Sequence, residues 1–180
     1  MVMEEGTKDR LLCAASEVFS RRGLKDATVR EICDAARANV AAINYHFGGK
    51  EKLFLHVIGT YISGKEAIHP INEGITEVSS IEEVLHAFVK GTLFLLVDNS
   101  NPVYHGLAKI LAHEFMEPTS IHDELIGNNF ATKLEYLKEI VWRIYPECDE
   151  HFALRASAAI IGQCLLVAYA SGLTFKIGDS

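Results

Sequence analysis

Hydrophobic residues recur with the period of an α-helix along nearly the whole chain. The first such segment, from Thr7 to Arg22, places five apolar side chains on one stripe: Leu11, Leu12, Ala15, Val18 and Phe19. Gly23 is expected to end this helix, because glycine tolerates the backbone conformation that commonly follows a helix. The four prolines all fall at plausible joints, and no useful length of strand-like alternation competes. The pattern therefore predicts an all-α protein.

A short second helix is predicted after Thr28. Thr28 and Glu31 have the spacing of a capping box, in which the threonine side chain caps the helix and the glutamate reaches back. The residues expected to face inward on this helix are Ile32, Ala35 and Ala36.

Asn39 is a natural N-cap for a third helix, Val40–His46. Ile43 and Phe47 are spaced to pack back on the preceding helix. The residues left facing elsewhere are Val40, Ala41, Asn44 and Tyr45. Two short helices joined by a three- or four-residue turn and braced by a longer helix make a helix-turn-helix pattern.

The remainder is also helical and richer in apolar residues. After Gly48 and Gly49, a helix is expected from Lys50 to roughly Ile68. The segment Ile81–Val97 becomes apolar nearly all round, which predicts a central, buried helix. Another helix is expected over Pro102–Met116.

Two late segments carry hydrophobic seams. From Asn128 onward, apolar residues alternate steps of four and three: Phe130, Leu134, Leu137, Val141 and Ile144. The segment from Phe152 to about Ala170 instead carries small residues that would let helices approach closely: Ala153, Ala156, Ser157, Ala159 and Gly162. Such seams fit either a subunit interface or the core of one subunit. The hydrophobic share of 49% favours burial between subunits as well as within one.

Charge is unevenly distributed along the chain. Residues 1–54 hold nine basic and eight acidic residues, and residues 55–180 hold eight basic and sixteen acidic ones. A net charge of −7 argues against indiscriminate binding to polyanions, whereas the near-neutral N-terminal part can still meet phosphates.

Enzyme, metal and cofactor chemistry find little support. No Gly-x-Ser-x-Gly, P-loop or dinucleotide fingerprint occurs, so an enzyme is not expected. His113, Glu114 and Glu117 are a weak metal candidate, and a solvated helix face is the simpler interpretation. We expect no metal and no cofactor. The four widely spaced cysteines suit reduced, buried positions better than a redox switch: Cys13, Cys33, Cys148 and Cys164.

The expected compartment is the cytoplasm, without a membrane partner. No run of about 18 uninterrupted apolar residues occurs. The first ten residues include Glu4, Glu5 and Asp9 and no apolar core, which is unlike a secretory signal.

Residues from about Lys8 to Val57 resemble the DNA-binding head of the TetR family of transcriptional regulators. The resemblance is carried by the runs Ala27–Ile32 and Ala41–Leu53, the second of which reads AAINYHFGGKEKL. The run Ala41–Phe47, with Glu117-Pro118-Thr119 and Ile161–Cys164, resembles the CecR-type subgroup. Two positions depart from the family pattern: Arg37 stands where the turn usually has glycine, and Gly49 replaces a usual serine or aspartate.

The resemblance implies a helix-turn-helix DNA-binding domain over residues 1–54 and a helical effector-binding and dimerisation domain over residues 55–180. It implies a homodimeric regulator, by family habit a repressor, whose affinity for a pseudo-palindromic DNA operator is controlled by a small-molecule effector. The alternative is a helical dimeric ligand-binding module that no longer reads DNA; Arg37 and the net charge keep it open.

The head's residues suggest specific contacts with DNA. Asn44 suits adenine, although the equivalent family position often touches phosphate. Small apolar side chains at Val40, Ala41 and Ala42 could meet thymine methyl groups, or the alanines could simply favour helix. Phosphate contacts are expected from the remaining polar residues. The complete predicted DNA-binding set is Thr28, Arg30, Asn39, Val40, Ala41, Ala42, Asn44, Tyr45, His46 and Lys50.

The resemblance also implies an effector cavity and a subunit interface in the body. Candidate pocket residues, each of which could equally be plain core, are Phe88, Phe94, His105, His113, Phe115, Met116, Phe130, Trp142 and Gln163. Candidate interface residues are Leu134, Leu137, Val141, Ile144, Ala156 and Ala159.

Overall fold

A computed structural model describes residues 6–67, 70–97 and 106–174, and all regular structure in these ranges is α-helical. The helices are α1 Thr7–Asp26, α2 Val29–Ala36, α3 Val40–Phe47, α4 Lys50–Glu66, α5 Ile81–Val97, α6 Leu107–Met116, α7 His122–Asn129, α8 Ala131–Ile144 and α9 Glu150–Thr174. The expected all-α architecture, with a helix-turn-helix near the N-terminus and helices after it, is confirmed.

The chain forms two compact units that are not contiguous in sequence. The first comprises Met1–Tyr61 and Asp98–His122, and the second comprises Ile62–Val97 and Asp123–Ser180. This structural division differs from a cut at residue 54, because α6 packs against α1 despite its distance along the chain. The functional boundary between residues 54 and 55 stays a prediction.

The core of the first unit is built around α1. Leu11, Val18 and Phe19 are fully buried, as the apolar stripe predicts. The Phe19 ring meets the Phe54 ring edge-on, with centroids 4.9 Å apart. The buried Ser16 hydroxyl is hydrogen-bonded to the Tyr61 hydroxyl, which ties α1 to α4.

Two glycines allow α6 to lie close against α1. A Cβ on Gly106, which has φ 97°, would lie 2.6 Å from the Cβ of Ser20. A Cβ on Gly23 would lie 3.1 Å from the Cβ of His113. The close packing of these helices therefore depends on glycine at both positions.

The helix α1 extends further than its sequence pattern predicts. Gly23 has non-helical angles, φ 66° and ψ −178°, yet helical structure resumes and continues to Asp26. Gly23 thus kinks the helix, and Ala27 in extended conformation follows its end. In α2 the buried residues are Ile32, Cys33 and Ala36. The predicted inward position of Ala35 is wrong, since its side chain is exposed.

The second unit is built on α5, α8 and α9, which pack against one another. Its core contains Val84, Phe88, Leu137 and Ile140. Leu137 and Val141 are 0% and 3% exposed within a single subunit. Their predicted place in a subunit interface is therefore wrong: this part of the seam serves the core of one subunit.

Several helix boundaries differ from the predicted ones. The helix α7 was missed by the sequence analysis. Among its described residues only Leu125 is a fully buried apolar side chain, so the sequence carries little hydrophobic periodicity there. It ends at Asn129, so the seam from Asn128 is not one helix, and α8 begins only after Phe130. The predicted positions Ile68 and Pro102–His105 lie outside the described residues.

The helix α9 exposes much apolar surface. Leu154, Leu166 and Val167 are exposed, Leu166 by 66%. By length and composition alone, Glu150–Ala170 is apolar enough to cross a membrane, and 22% of its most apolar window is buried. Its inner residues Ala153 and Ser157 are nevertheless fully buried, and α9 packs on α5 and α8. The helix is thus packed on the side of Ala153 and Ser157 and leaves apolar side chains exposed around the rest of its circumference.

Candidate nucleic-acid interface

The helices α2 and α3 are joined by the three residues Arg37, Ala38 and Asn39. Arg37 has φ 50° and ψ 47°, the left-handed conformation that usually favours glycine. Its backbone N–H closes the end of α2 by donating to Asp34, and the N–H of Ala38 donates to the Cys33 carbonyl at 2.9 Å. Arginine therefore occupies a left-handed turn position, at a cost in backbone strain.

Both short helices begin after the predicted N-cap residues, but the Glu31 carboxylate binds Arg22 rather than reaching back to Thr28. The Thr28 hydroxyl oxygen accepts from the Glu31 N–H at 3.1 Å, and the Asn39 side-chain oxygen accepts from the Ala41 N–H at 2.9 Å. Gly48 follows α3 in the left-handed conformation, with φ 79°. Gly49 has φ 135°, so the residue that departs from the family pattern suits its backbone.

The helix α3 is anchored on one face and open on the other. Ile43 and Phe47 are buried against the first unit. Ala42 is half-buried, while the remaining outward residues are exposed: Val40, Ala41, Asn44, Tyr45 and His46. The division matches the predicted one. A helix held in this way presents a fixed set of small, amide and aromatic side chains to a partner.

The polar end of α3 carries two neighbouring rings. Tyr45 is 85% exposed, and its ring meets that of His46 edge-on at 4.9 Å between centroids. Such a pair offers a hydroxyl and a ring nitrogen from one turn of helix. Thr28 and Arg30, on α2 and its cap, are also exposed.

Lys50 has a structural task that its sequence position did not reveal. Its ammonium donates to the carbonyl oxygens of Leu24 at 2.8 Å and Ala27 at 2.9 Å. These bonds fasten the start of α4 to the corner between α1 and α2 and use two of the three ammonium protons. The geometry thus does not favour the phosphate role predicted for Lys50.

Two other lysines near α3 were missed in the predicted set. The Lys52 ammonium lies 3.7 Å from the point that a Cβ on Gly48 would occupy, and the Lys8 ammonium lies 6.0 Å from the centre of the Phe47 ring. Both residues are exposed. The sequence offered a signal for each: Lys52 belongs to the run Lys50-Glu51-Lys52, and Lys8 lies in the first turn of α1.

One acidic group close to the interface, that of Glu31, is paired with arginines of α1. The Glu31 carboxylate accepts from the Arg22 guanidinium at 2.9 Å and lies 3.7 Å from that of Arg21. Arg10 donates to the Ala36 carbonyl at 3.2 Å, which secures the end of α2. Arg10 and Arg22 thereby tie α1 to α2.

Cys33 and His56, which lie close to α3, have shifted pKa values. Burial raises the pKa of the Cys33 thiol, with a smaller effect from Asp34, and its sulfur donates to the Asn39 carbonyl at 3.6 Å. A protonated, buried thiol is a poor redox centre. Burial, followed by the charge of Lys8, lowers the pKa of His56, whose ring lies 5.4 Å from that of Phe47.

The residues predicted to line an effector pocket are divided between the two units. His113, Phe115 and Met116 belong to the first unit, and Met116 is 81% exposed. In the second unit, Phe88 is a core residue packed near Tyr136, and Gln163 is exposed. Others differ in burial: Phe94 is exposed, Phe130 and Trp142 are half-buried, and His105 lies outside the described residues. Within the part of the chain that the structure describes, no group of three or more potential ligand side chains could hold a metal.

Two family models match the chain. The model of the bacterial regulatory proteins of the tetR family matches residues 11–57. The model of the C-terminal domain of the HTH-type transcriptional dual regulator CecR matches residues 81–172, just over half of the chain.

Curated relatives point to the same family. The chain is 32% identical over 84 residues to the probable HTH-type transcriptional regulator YttP of Bacillus subtilis, covering 46% of this chain and 41% of that protein. It is 29% identical over 136 residues to the dual regulator CecR of Shigella flexneri, covering 68% of this chain and 59% of that protein. The matches thus span less than two thirds of the length of these relatives.

Solved structures share the fold. One is AibR, crystallised with isovaleryl coenzyme A and operator DNA, with a TM-score of 0.69, 16% identity and coverage of 91% of this chain and 86% of that one. Another is the TetR family regulator PfmR from Thermus thermophilus, with a TM-score of 0.66, 20% identity and coverage of 92% and 86%.

The match over residues 81–172 and the match at the helix-turn-helix confirm the resemblance inferred from the sequence. The family is one of regulators rather than enzymes. The chain belongs to the TetR family of bacterial regulatory proteins and carries a C-terminal part of the CecR type.

Proposed function

We propose that this protein is a cytoplasmic transcriptional repressor that binds a pseudo-palindromic operator as a homodimer and releases it in response to a small effector. The observation that carries the proposal is the anchored, outward-facing α3. Ile43 and Phe47 fix the helix, so Asn44 and its exposed neighbours are held in a constant geometry. A helix of this kind fits the width of the major groove.

The proposed division of labour follows the exposed residues. Asn44 reads a base edge, and Val40 and Ala41 approach closely because they are small. Thr28, Arg30, Tyr45 and His46 contact phosphates, joined by Lys52 in place of Lys50. Asn39 holds the helix start through its bond to Ala41.

The exposed apolar side chains of α9 support a dimer. Leu154, Leu166 and Val167 are exposed on a helix whose other side is packed. Exposed Ala159 and Ile144 remain in the proposed interface, together with half-buried Leu134 and Ala156, whereas Leu137 and Val141 do not. A two-fold dimer would present two α3 helices and require a two-fold site.

A subunit interface accounts for α9 better than a membrane does. Arg155 and Gln163 are exposed on the helix, between its apolar positions, and both would be costly in lipid. The exposed small residues Ala158 and Gly162 suit close contact between helices.

Effector control and repression are carried over from the family. The AibR crystal contains both a coenzyme A thioester and operator DNA, which supports the general idea of ligand-linked DNA binding in this fold. A ligand can alter operator affinity only if it binds one of two head arrangements better than the other.

Selection of bound sequences from a random duplex pool tests the proposal. A two-fold motif, bound less tightly as salt rises, is the expected result. Asn44→Ala is expected to weaken the selected site by about 1–3 kcal/mol and to relax one position of the motif. No enriched motif with the intact dimer would instead favour a ligand-binding module that does not read DNA.

A further inference from the structure

Arg37 is a strained residue at the edge of the proposed DNA-reading surface. It has φ 50° and ψ 47°, and within the described ranges it is the only residue other than glycine with a positive φ. A residue with a Cβ is destabilised in this conformation relative to glycine. Strained residues concentrate at binding and active sites, so a role in binding is the physical expectation for this side chain.

The fold uses the backbone of Arg37 and not its side chain. The backbone N–H donates to the Asp34 carbonyl and closes the end of α2, a bond that glycine would make equally well. The side chain is exposed, and its guanidinium forms no hydrogen bond or ion pair with any residue that the structure describes, including exposed Asp34. Folding alone therefore does not account for an arginine at this position.

Two exposed arginines stand at opposite ends of α2. Arg30 and Arg37 are seven residues apart, which is two helical turns and about 10 Å along the helix axis. In a helix-turn-helix the first of the two helices crosses the DNA backbone, and the second enters the major groove. A cation at each end of α2 therefore suits the phosphates that this helix crosses.

Arg37 is also close enough to α3 to reach the wall of the groove. Three peptide units separate Arg37 from the exposed Val40, so their Cα atoms are at most about 11 Å apart. The major groove is about 12 Å wide, so phosphates flank a helix that lies in it within a similar distance. The arginine side chain is long and ends in a planar fork of donors that matches the geometry of a phosphate.

We propose that Arg37 binds a phosphate of the DNA backbone beside the start of α3. The partner is the backbone and not a base, so the contact adds affinity without adding sequence preference. The inference deepens the proposed function and rests on it in one respect: the chain must bind duplex DNA through α2 and α3. It requires no particular operator, no effector and no repression.

Arg37→Gln tests the contact, because glutamine retains a Cβ and a polar end but carries no charge. Each phosphate contact adds about 0.9 to the steepness with which log affinity falls against log salt concentration. Loss of one contact should therefore reduce this salt slope by about one and weaken binding roughly five- to tenfold near 0.1 M salt. Fluorescence anisotropy of a labelled duplex, titrated with the purified full chain over a salt series, measures both quantities.

Three further variants separate charge from strain. Arg37→Lys keeps the charge and the strained backbone and should retain the wild-type salt slope. Arg37→Gly removes the charge and relieves the strain, so it should fold at least as stably as wild type and yet lose as much affinity as Arg37→Gln. Lys109→Gln removes a charge from an exposed position of α6 in the same unit and should leave the slope and the affinity unchanged.

Two duplexes keep the outcomes distinct: the one selected from the random pool and an unrelated one of equal length. If Arg37→Gln lowers the salt slope on the unrelated duplex but no operator can be selected, the repressor function fails and the Arg37 contact stands. If an operator is selected and Arg37→Gln binds it like wild type, the Arg37 contact fails alone.

Two other results would also overturn the phosphate contact. One is weaker binding of Arg37→Gln with an unchanged salt slope, and the other is a selected motif that relaxes at one position, which would indicate a base contact. A wild-type protein that binds neither duplex would overturn both proposals.

Discussion

Ser20 lies against Gly106 so closely that no side chain could be added at residue 106 without moving one of the two helices. The Cβ of an alanine there would stand 2.6 Å from the Cβ of Ser20, and φ of 97° is unfavourable for any L-residue. Both effects act on the packing of α6 against α1.

Gly106→Ala is expected to lower the free energy of unfolding by about 2–4 kcal/mol, combining backbone strain with overpacking. Urea unfolding followed by circular dichroism measures this. Ser20→Gly in the same background should restore the steric part and leave the strain. A double mutant no more stable than Gly106→Ala would show that contact with Ser20 is not the cause.

Replacing Arg37 with glycine is expected to increase the stability of the protein. Arg37→Gly relieves a left-handed residue and should stabilise the protein by about 1 kcal/mol. Arg37→Ala removes the same charge but keeps a Cβ, so it should give no such gain. The two melting temperatures, compared with wild type, separate strain from charge. Equal melting temperatures of the two variants would contradict the strain.

Lys50 and Lys52 are expected to separate folding from DNA binding. Lys50→Met leaves the carbonyls of Leu24 and Ala27 without their donor and should cost about 1–3 kcal/mol of stability. Lys52→Met should change stability by less than about 0.5 kcal/mol and reduce the salt dependence of operator binding by about one phosphate contact. Urea unfolding and operator titrations at two salt concentrations give both readouts. A fully stable Lys50→Met would refute its structural role.

Leu166 offers a test of the subunit interface. Leu166→Lys places a charge on the exposed side of α9 and should convert the proposed dimer to a monomer at micromolar concentration. Val78→Lys, at a 93% exposed position of the same unit, should leave the mass unchanged. Light scattering distinguishes the two. A Leu166→Lys protein that remains dimeric would exclude this face.

The raised pKa of Tyr61 is expected to make the folded protein less stable at alkaline pH. Burial raises the pKa of Tyr61 to about 12, against the hydrogen bond from Ser16 that lowers it. Between pH 10 and 12 the unfolded chain loses this proton while the folded chain keeps it. Stability should therefore fall by about 1.4 kcal/mol per pH unit through this group. Unfolding of Tyr61→Phe over the same range should show a shallower fall, and identical slopes would contradict the assignment.

Local signals predicted the helix-turn-helix well. Threonine and asparagine are common N-caps, so Thr28 and Asn39 could be recognised from the few residues around them. Ile43 and Phe47 are four residues apart and therefore lie on the same face of a helix. Periodicity also identified α5 and most of α9. It says that a face is buried, however, and not what covers it, which is why Leu137 and Val141 were misassigned to an interface.

Contacts between residues far apart in the chain could not be predicted from the sequence, for a physical reason. The bonds from Lys50 to Leu24 and Ala27, and the fit of Gly106 on Ser20, join residues far apart in the chain. A lysine at a helix start is equally suited to solvent, to phosphate or to a carbonyl, and only the tertiary arrangement chooses among them. The close approach of Ile71 to Gly91 likewise joins distant residues and has no local signature in the sequence.

The packing of α6 on α1 bears on how the DNA-reading segment can be produced. A fragment truncated after residue 54 would retain Ser20 and Gly23 but lack the helix that shields them, and a fragment ending at Tyr61 would share that defect. Autonomous folding of the reading head thus requires a stretch encoded some fifty residues downstream, which a fusion joining residues 6–61 to 106–122 through a short linker would supply.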